Sequence, residues 1–145
     1  MTVRVSTELP IAAAEASRLA RKPEMLSYVL WPWRQMTPPA PLADRIVAGD
    51  ELTARIRFLG VIPAWTHTLH IERLEECEIA SREHGGPVTT WNHALTFEPI
   101  AERTCRYTDT VEVRAGLLTP LVATFARLIY RYRQMRWRSL ARVMA

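Results

Sequence analysis

Residues 120–143 read PLVATFARLIYRYRQMRWRSLARV, and the shape of the whole chain turns on how this stretch is taken. Pro120 suits the first turn of a helix, where its missing N–H would have no partner anyway. No second Pro and no Gly follows before Val143. At about 100° per residue, Leu121, Val122, Leu128, Ile129, Tyr132, Ser139, Leu140 and Val143 fall within roughly 60° of Phe125. The opposite side carries Arg127, Arg131, Gln134, Arg138 and Arg142, with Arg133 on the flank. The spacing therefore predicts one long amphipathic helix whose Phe125 stripe faces the core and whose arginines face water. Arg136 falls only about 20° from the centre of the stripe. A buried guanidinium is costly without a partner. Arg136 is expected either to reach water along its stem near the helix end or to meet a carboxylate or ligand at the mouth of a pocket.

A helix that apolar on one side needs a layer to cover it, and the residues before it supply strands. Thr2–Leu9 alternates and is rich in β-branched types. Ile11–Arg21 is Ala-rich with helical spacing and should stop before Pro23, with one more turn over Glu24–Ser27. Tyr28–Met36 looks extended, with Pro32 confining it to an edge or a bulge. Thr37–Asp50 holds Pro38, Pro39, Pro41 and Gly49 and reads as a surface loop. Strand-like runs follow at Leu52–Ile62, Trp65–Leu74, Glu78–His84, Val88–Ile100 and Thr104–Ala115, with Gly85-Gly86-Pro87 marking a hairpin. Consecutive strands joined by tight turns make an antiparallel meander. Covered by one terminal helix, it gives an α+β architecture.

Composition narrows the function classes. The 145 residues suit a single domain over 1–145. With 48% apolar and 23% charged residues there is material for a packed interior, which excludes disorder and a disulfide scaffold. No uncharged run approaches the about 20 residues of a membrane helix, and the N-terminus shows no secretory signal. Cys77 and Cys105 have no C-x-x-C partner and read as reduced thiols of a cytoplasmic protein. The net charge of +4 is carried by 18 Arg and one Lys, and after Glu112 come seven Arg and no acid. Most of these form the solvated back of the terminal helix, so no nucleic-acid partner is expected. His67 and His70, three apart in a strand, lie on opposite faces. No zinc-binding pattern, nucleophile elbow or Gly-rich phosphate loop occurs, so no metal and no cofactor is expected.

Two strands carry the polar residues that could do chemistry. Trp91, His93, Leu95 and Phe97 share one face of the first. Cys105, Tyr107, Asp109, Val111 and Val113 share one face of the second. Both faces are the more apolar of their strands and should point to the covered side. A three-residue loop at Ile100–Glu102 would set His93 directly opposite Asp109, about 5 Å apart at Cβ. The pair then either fixes the register as a satisfied buried contact or lines a cavity, with Asp109 orienting His93 and raising its basicity.

The run Trp91-Asn92-His93-Ala94-Leu95-Thr96-Phe97, the Thr108-Asp109-Thr110-Val111 segment and the terminal Tyr130-Arg131-Tyr132-Arg133-Gln134 resemble the START/polyketide-cyclase superfamily (SRPBCC), as does the order of elements over essentially the whole chain. The resemblance implies a helix-grip fold: a curved antiparallel sheet of six to seven strands wrapped around the C-terminal helix, with an apolar cavity between them. It implies binding or carrying of a small hydrophobic molecule, lipid or polyketide-like. Trp91, Leu95, Phe97, Tyr107, Val111, Phe125, Ile129 and Tyr132 would line the site, with His93, Asp109 and Arg136 orienting a polar group. The alternative it implies is a cyclase or dehydratase, an activity for which the superfamily has no universal signature. On the residues of this chain His93, made basic by Asp109, would be the catalytic base. Self-association into a homodimer stays open.

Overall fold

The computed structural model describes residues 1–32, 34–37, 47–59 and 61–145. Most of the expected proline-rich loop, residues 38–46, lies outside the described residues, as do Trp33 and Gly60. The chain runs β1 (Thr2–Leu9), α1 (Ala13–Ala20), α2 (Pro23–Leu30), β2 (Arg34–Thr37), β3 (Glu51–Phe58), β4 (Ile62–Glu75), β5 (Glu78–Gly85), β6 (Val88–Ala101), β7 (Thr104–Arg114), a short 3₁₀ turn at Gly116–Leu118 and α3 (Thr119–Met144). The strands form one antiparallel sheet of seven in the order β1-β7-β6-β5-β4-β3-β2. Register shifts at Arg55/Arg57, Ile71/Arg73, Glu83/Gly85 and Pro99/Ala101 bend the strands, as a residue inserted into a ladder does. The curved sheet wraps the 26-residue α3, which is the helix-grip α+β arrangement.

Local chemistry accounts for most boundaries. Pro120 lies in the first turn of α3. The β5–β6 hairpin turns at Gly86, with φ 56°; a Cβ there would stand 2.7 Å from the indole of Trp65, so the glycine lets that ring lie against the turn. Tyr28–Met36 departs from the extended expectation. Its first part belongs to α2, because Pro23 starts a helix at N1 besides ending the one before it. Only Arg34–Thr37 is a strand. The run expected as one strand over Leu52–Ile62 is broken by a turn in which Leu59 takes φ 52°.

The larger correction concerns α3. Its buried residues are Ala123, Ala126, Ile129, Tyr130, Arg133, Gln134, Trp137 and Ala141. The centre of that face lies roughly 120° around the helix from Phe125. Leu121, Leu128 and Val143 are exposed, and Phe125 is 41% exposed. Two needs turn the helix this way. Ala123, Ala126 and Ala141 are small enough for the backbone to approach the sheet, with Tyr130 and Trp137 filling the space between them. Arg133 and Gln134 must face the buried carboxylate of Asp109. Arg127, Arg131, Arg138 and Arg142 stay exposed under either orientation.

With the helix turned this way, Trp137→Ala is expected to lower the unfolding free energy by about 3–5 kcal/mol, whereas Leu128→Ala changes it by less than about 0.5 kcal/mol. Urea titration of both variants measures this; the reverse order would restore the Phe125 stripe to the core.

Candidate functional site

A row of polar side chains crosses the concave face of the sheet beneath α3. Strand alternation points His67 of β4, Ser81 and Glu83 of β5, His93 of β6, and Tyr107 and Asp109 of β7 inward, and all are buried. The hairpin turn is Glu102-Arg103, shorter than the expected loop, and together with the register shift between Pro99 and Ala101 it pairs Asp109 with Leu95, and His93 with Val111. His93 and Asp109 are thus diagonal neighbours. Both still point inward, and the imidazole spans the diagonal: His93 Nε2 is 2.9 Å from Asp109 Oδ1.

Asp109 is fully buried yet well supplied with donors. Tyr107 OH donates to Oδ1 at 2.7 Å, Gln134 Nε2 to Oδ2 at 3.1 Å, and Arg133 Nη1 lies 3.8 Å from Oδ1. Burial alone would raise the Asp109 pKa, but the Arg133 charge and the His93 and Tyr107 hydrogen bonds hold it below the usual carboxylate value. Burial pushes the Tyr107 phenol well above its usual value. Burial works against the Arg133 cation too, but Tyr107, Asp109, Tyr130 and Glu83 outweigh it and raise its pKa.

A second buried carboxyl faces the same space. Glu83 Oε2 is 2.9 Å from His67 Nε2, Oε1 accepts from Ser81 Oγ at 2.8 Å, and Oε1 lies 4.0 Å from His93 Nδ1. Trp65 Nε1 donates to His67 Nδ1 at 3.4 Å. An indole only donates, so His67 is neutral, with its proton on Nε2 toward Glu83. By the same logic the ionised Asp109 only accepts, so His93 carries a proton on Nε2, leaving Nδ1 without a hydrogen bond to any described residue.

Three cavities adjoin this cluster. The largest, about 370 Å³, lies between the sheet and the first turns of α3, against Ile56, Trp65, Val88, Trp91, Val122 and Phe125. A small central chamber of about 50 Å³ shares Trp91 and Phe125 with it and is floored by Glu83, His93, Tyr130 and Arg133. A third of about 120 Å³ shares Glu83, His93 and Arg133 with the central one and extends past Leu95 toward Ala20 and Pro23.

Among the expected site residues, Trp91, His93, Leu95, Phe125 and Ile129 line these chambers. Asp109 sits behind His93 and Arg133. Phe97 and Tyr107 stack on each other at 5.1 Å within the packed core, and Val111 is packed beside Val3 and Val113; none of the three borders the chambers described. The rotation of α3 carries Tyr132 and Arg136 out of the site to the outer contact with α2. There Tyr132 OH donates to Trp31 O, and the Arg136 guanidinium lies 4.2 Å from the centre of the Tyr28 ring. Arg133 occupies the position expected for Arg136. Glu83 and Ser81 were missed although alternation with buried Ile79 aims them inward.

Residues 7–143 match a family described as Domain of unknown function (DUF8410). The chain belongs to that family. No curated protein matches it. Solved structures agree with the fold of this DUF8410 chain over nearly its full length. A START superfamily protein from Mycobacterium smegmatis aligns at TM-score 0.73 and 13% identity, covering 99% of each chain. TTHA0849 from Thermus thermophilus aligns at TM-score 0.72 and 15% identity, covering 100% of this chain and 99% of that one. Truncated norcoclaurine synthase from Thalictrum flavum aligns at TM-score 0.64 and 12% identity, covering 93% of this chain and 92% of that one. The chain shares the helix-grip fold of these structures.

Because the folded pKa of Asp109 lies below its unfolded value, the unfolded chain binds more protons between the two. Its contribution to stability is present above about pH 4 and is lost as pH falls further. Urea midpoints of the wild type are expected to drop through that range. Asp109→Asn should lose about 3–5 kcal/mol at neutral pH, having left Arg133 without its anion, and should show a flatter acid profile.

Proposed function

We propose that the chain binds a small hydrophobic molecule between the sheet and α3, with its apolar body in the large chamber and its polar end at the buried cluster. The observation that carries this is the contrast between the two regions. The about 370 Å³ chamber is walled by Trp65, Val88, Trp91, Val122 and Phe125, and buried donors and acceptors gather at its inner end. Binding pockets combine a large apolar wall with a few placed polar groups in this way, at volumes of about 300–1,000 Å³. The outward face of α3 fits the same reading: Leu121 and Phe125 are exposed on the helix because they border a hollow. A lipid or polyketide-like ligand suits the walls, and the free thiols of Cys77 and Cys105 suit a reducing, cytoplasmic setting.

A second reading, a cyclase or dehydratase, is favoured by His93 itself. Asp109 holds Nε2–H, His93 lines the central chamber, and Nδ1 makes no hydrogen bond to any described residue, lying 4.0 Å from Glu83 Oε1. That is the posture of a general base oriented by a carboxylate. Nδ1 would take a proton next to a carbonyl, with Arg133 beside it to stabilise the enolate.

Val122→Trp fills the large chamber from a half-buried position. It should weaken binding of the neutral fluorophore 1-aminoanthracene at least about tenfold while changing stability by less than about 1 kcal/mol. Unchanged affinity would remove the binding reading. His93→Ala separates the two functions: a carrier keeps its affinity, whereas a catalyst loses turnover of a polyketide-like ketone. Absence of any wild-type turnover on such substrates would end the enzyme reading.

A further inference from the structure

Arg133 is an expensive residue to leave as it stands. Its side chain is 7% exposed, and Nε is buried without a hydrogen-bond partner. Nη1 is 3.8 Å from Asp109 Oδ1, too far for a hydrogen bond, and the guanidinium lies 5.8 Å from the centre of the Tyr130 ring. Of the five N–H donors of a guanidinium, none reaches an acceptor on any described residue. A purely structural arginine would be expected to satisfy its fork on carboxylates or carbonyls, since a donor left open in a dry interior costs stability. Arg133 instead lines both the central chamber and the third one, as His93 does. An acceptor held in the chamber would complete the fork.

The charge already present decides what that acceptor is. The Arg133 cation is matched by the Asp109 carboxylate 3.8 Å away, which the fold keeps ionised. A ligand carboxylate on the same guanidinium would place a further anion beside the buried carboxyls of Asp109 and Glu83. Arg133 is the one buried arginine among the described residues to share, since Arg21 and Lys22, which line the third chamber, are not buried. Tyr107, whose phenol is held protonated by burial, adds no charge, and His93 is already engaged by Asp109 through Nε2. A ligand cation would sit against Arg133 itself. A neutral oxygen acceptor satisfies the guanidinium donors at no such cost.

Resting on the apolar-ligand reading above, we propose that the cavity selects neutral carbonyl compounds, with Arg133 donating to the carbonyl oxygen, over carboxylates and plain hydrocarbons of the same shape. Arg133 is then a specificity-determining residue, and the ligand class is an apolar ketone, ester or quinone.

Three probes that share one ring system test this by equilibrium dialysis against the wild-type protein: 2-acetylnaphthalene, 2-naphthoate and 2-ethylnaphthalene. The ketone should bind about tenfold or more tightly than either of the others, as a hydrogen bond from a charged donor provides. Arg133→Met should erase the ketone's advantage and leave 2-ethylnaphthalene unchanged. Should that variant misfold, the infrared carbonyl stretch of wild-type-bound 2-acetylnaphthalene decides instead, and it should lie below its value in hexane. Ketone and hydrocarbon binding equally, or an unshifted stretch, overturns the role of Arg133 while the apolar-ligand reading stands. Naphthoate binding most tightly overturns the neutral-ligand assignment. If none of the three probes binds, the apolar-ligand reading falls and this proposal falls with it.

Discussion

Asp109 is the point at which sheet and helix are tied together. Its carboxylate has no exposed surface, and it meets His93 on the neighbouring strand, Tyr107 on its own strand, and Gln134 and Arg133 on α3. A buried ion survives only when its lone pairs are occupied and an opposite charge is near. Satisfying it dictates where α3 must present its polar pair, and with that the rotation of the whole helix. Gln134 extends the tie by donating to the carbonyl of Val5 at 2.7 Å, so β1, β7 and α3 share one polar junction. The two hydrophobic clusters lie on either side of it. One is built around Trp137, Tyr107 and Phe97, the other around Val111, Val113 and Tyr130.

That rotation leaves large apolar side chains facing outward along part of α3. In an ordinary amphipathic helix this would be wasted burial. Here the outward positions near the N-terminal end border the large chamber, and the alanines take the close contact with the sheet. The apolar residues therefore divide into two groups, one that holds the fold and one that walls the cavity.

This division explains which parts were legible in the sequence. Strand alternation correctly turned Trp91, His93, Leu95 and Phe97 to one side and Tyr107, Asp109 and Val111 to the same side, because a period of two leaves only two choices. The hairpin connection was harder. The turn at Glu102-Arg103 and the register shift between Pro99 and Ala101 together move Asp109 from opposite His93 to the diagonal position, and nothing in those residues announces the combination. The helix face was misread because bulk was equated with burial. Ala123, Ala126 and Ala141 mark the buried side by being small, and Arg133 between Tyr130 and Trp137 passed as a flanking charge. Tyr132 and Arg136 were placed in the site by the same error. Pro23 shows a related ambiguity, since one proline both closes α1 and opens α2.

The alanine seam also sets a distance. Where side chains contribute only a methyl group, the axis of α3 can lie close to β1 and β7, and the gap left between the helix and β3 and β4 is what remains of the enclosed volume. Exchange of one of these alanines for a bulkier residue would wedge the rod away from its cradle and remould the hollow beyond it. The size of guest this scaffold admits is thus governed partly by residues that never meet the guest, which makes the seam a remote gauge on capacity.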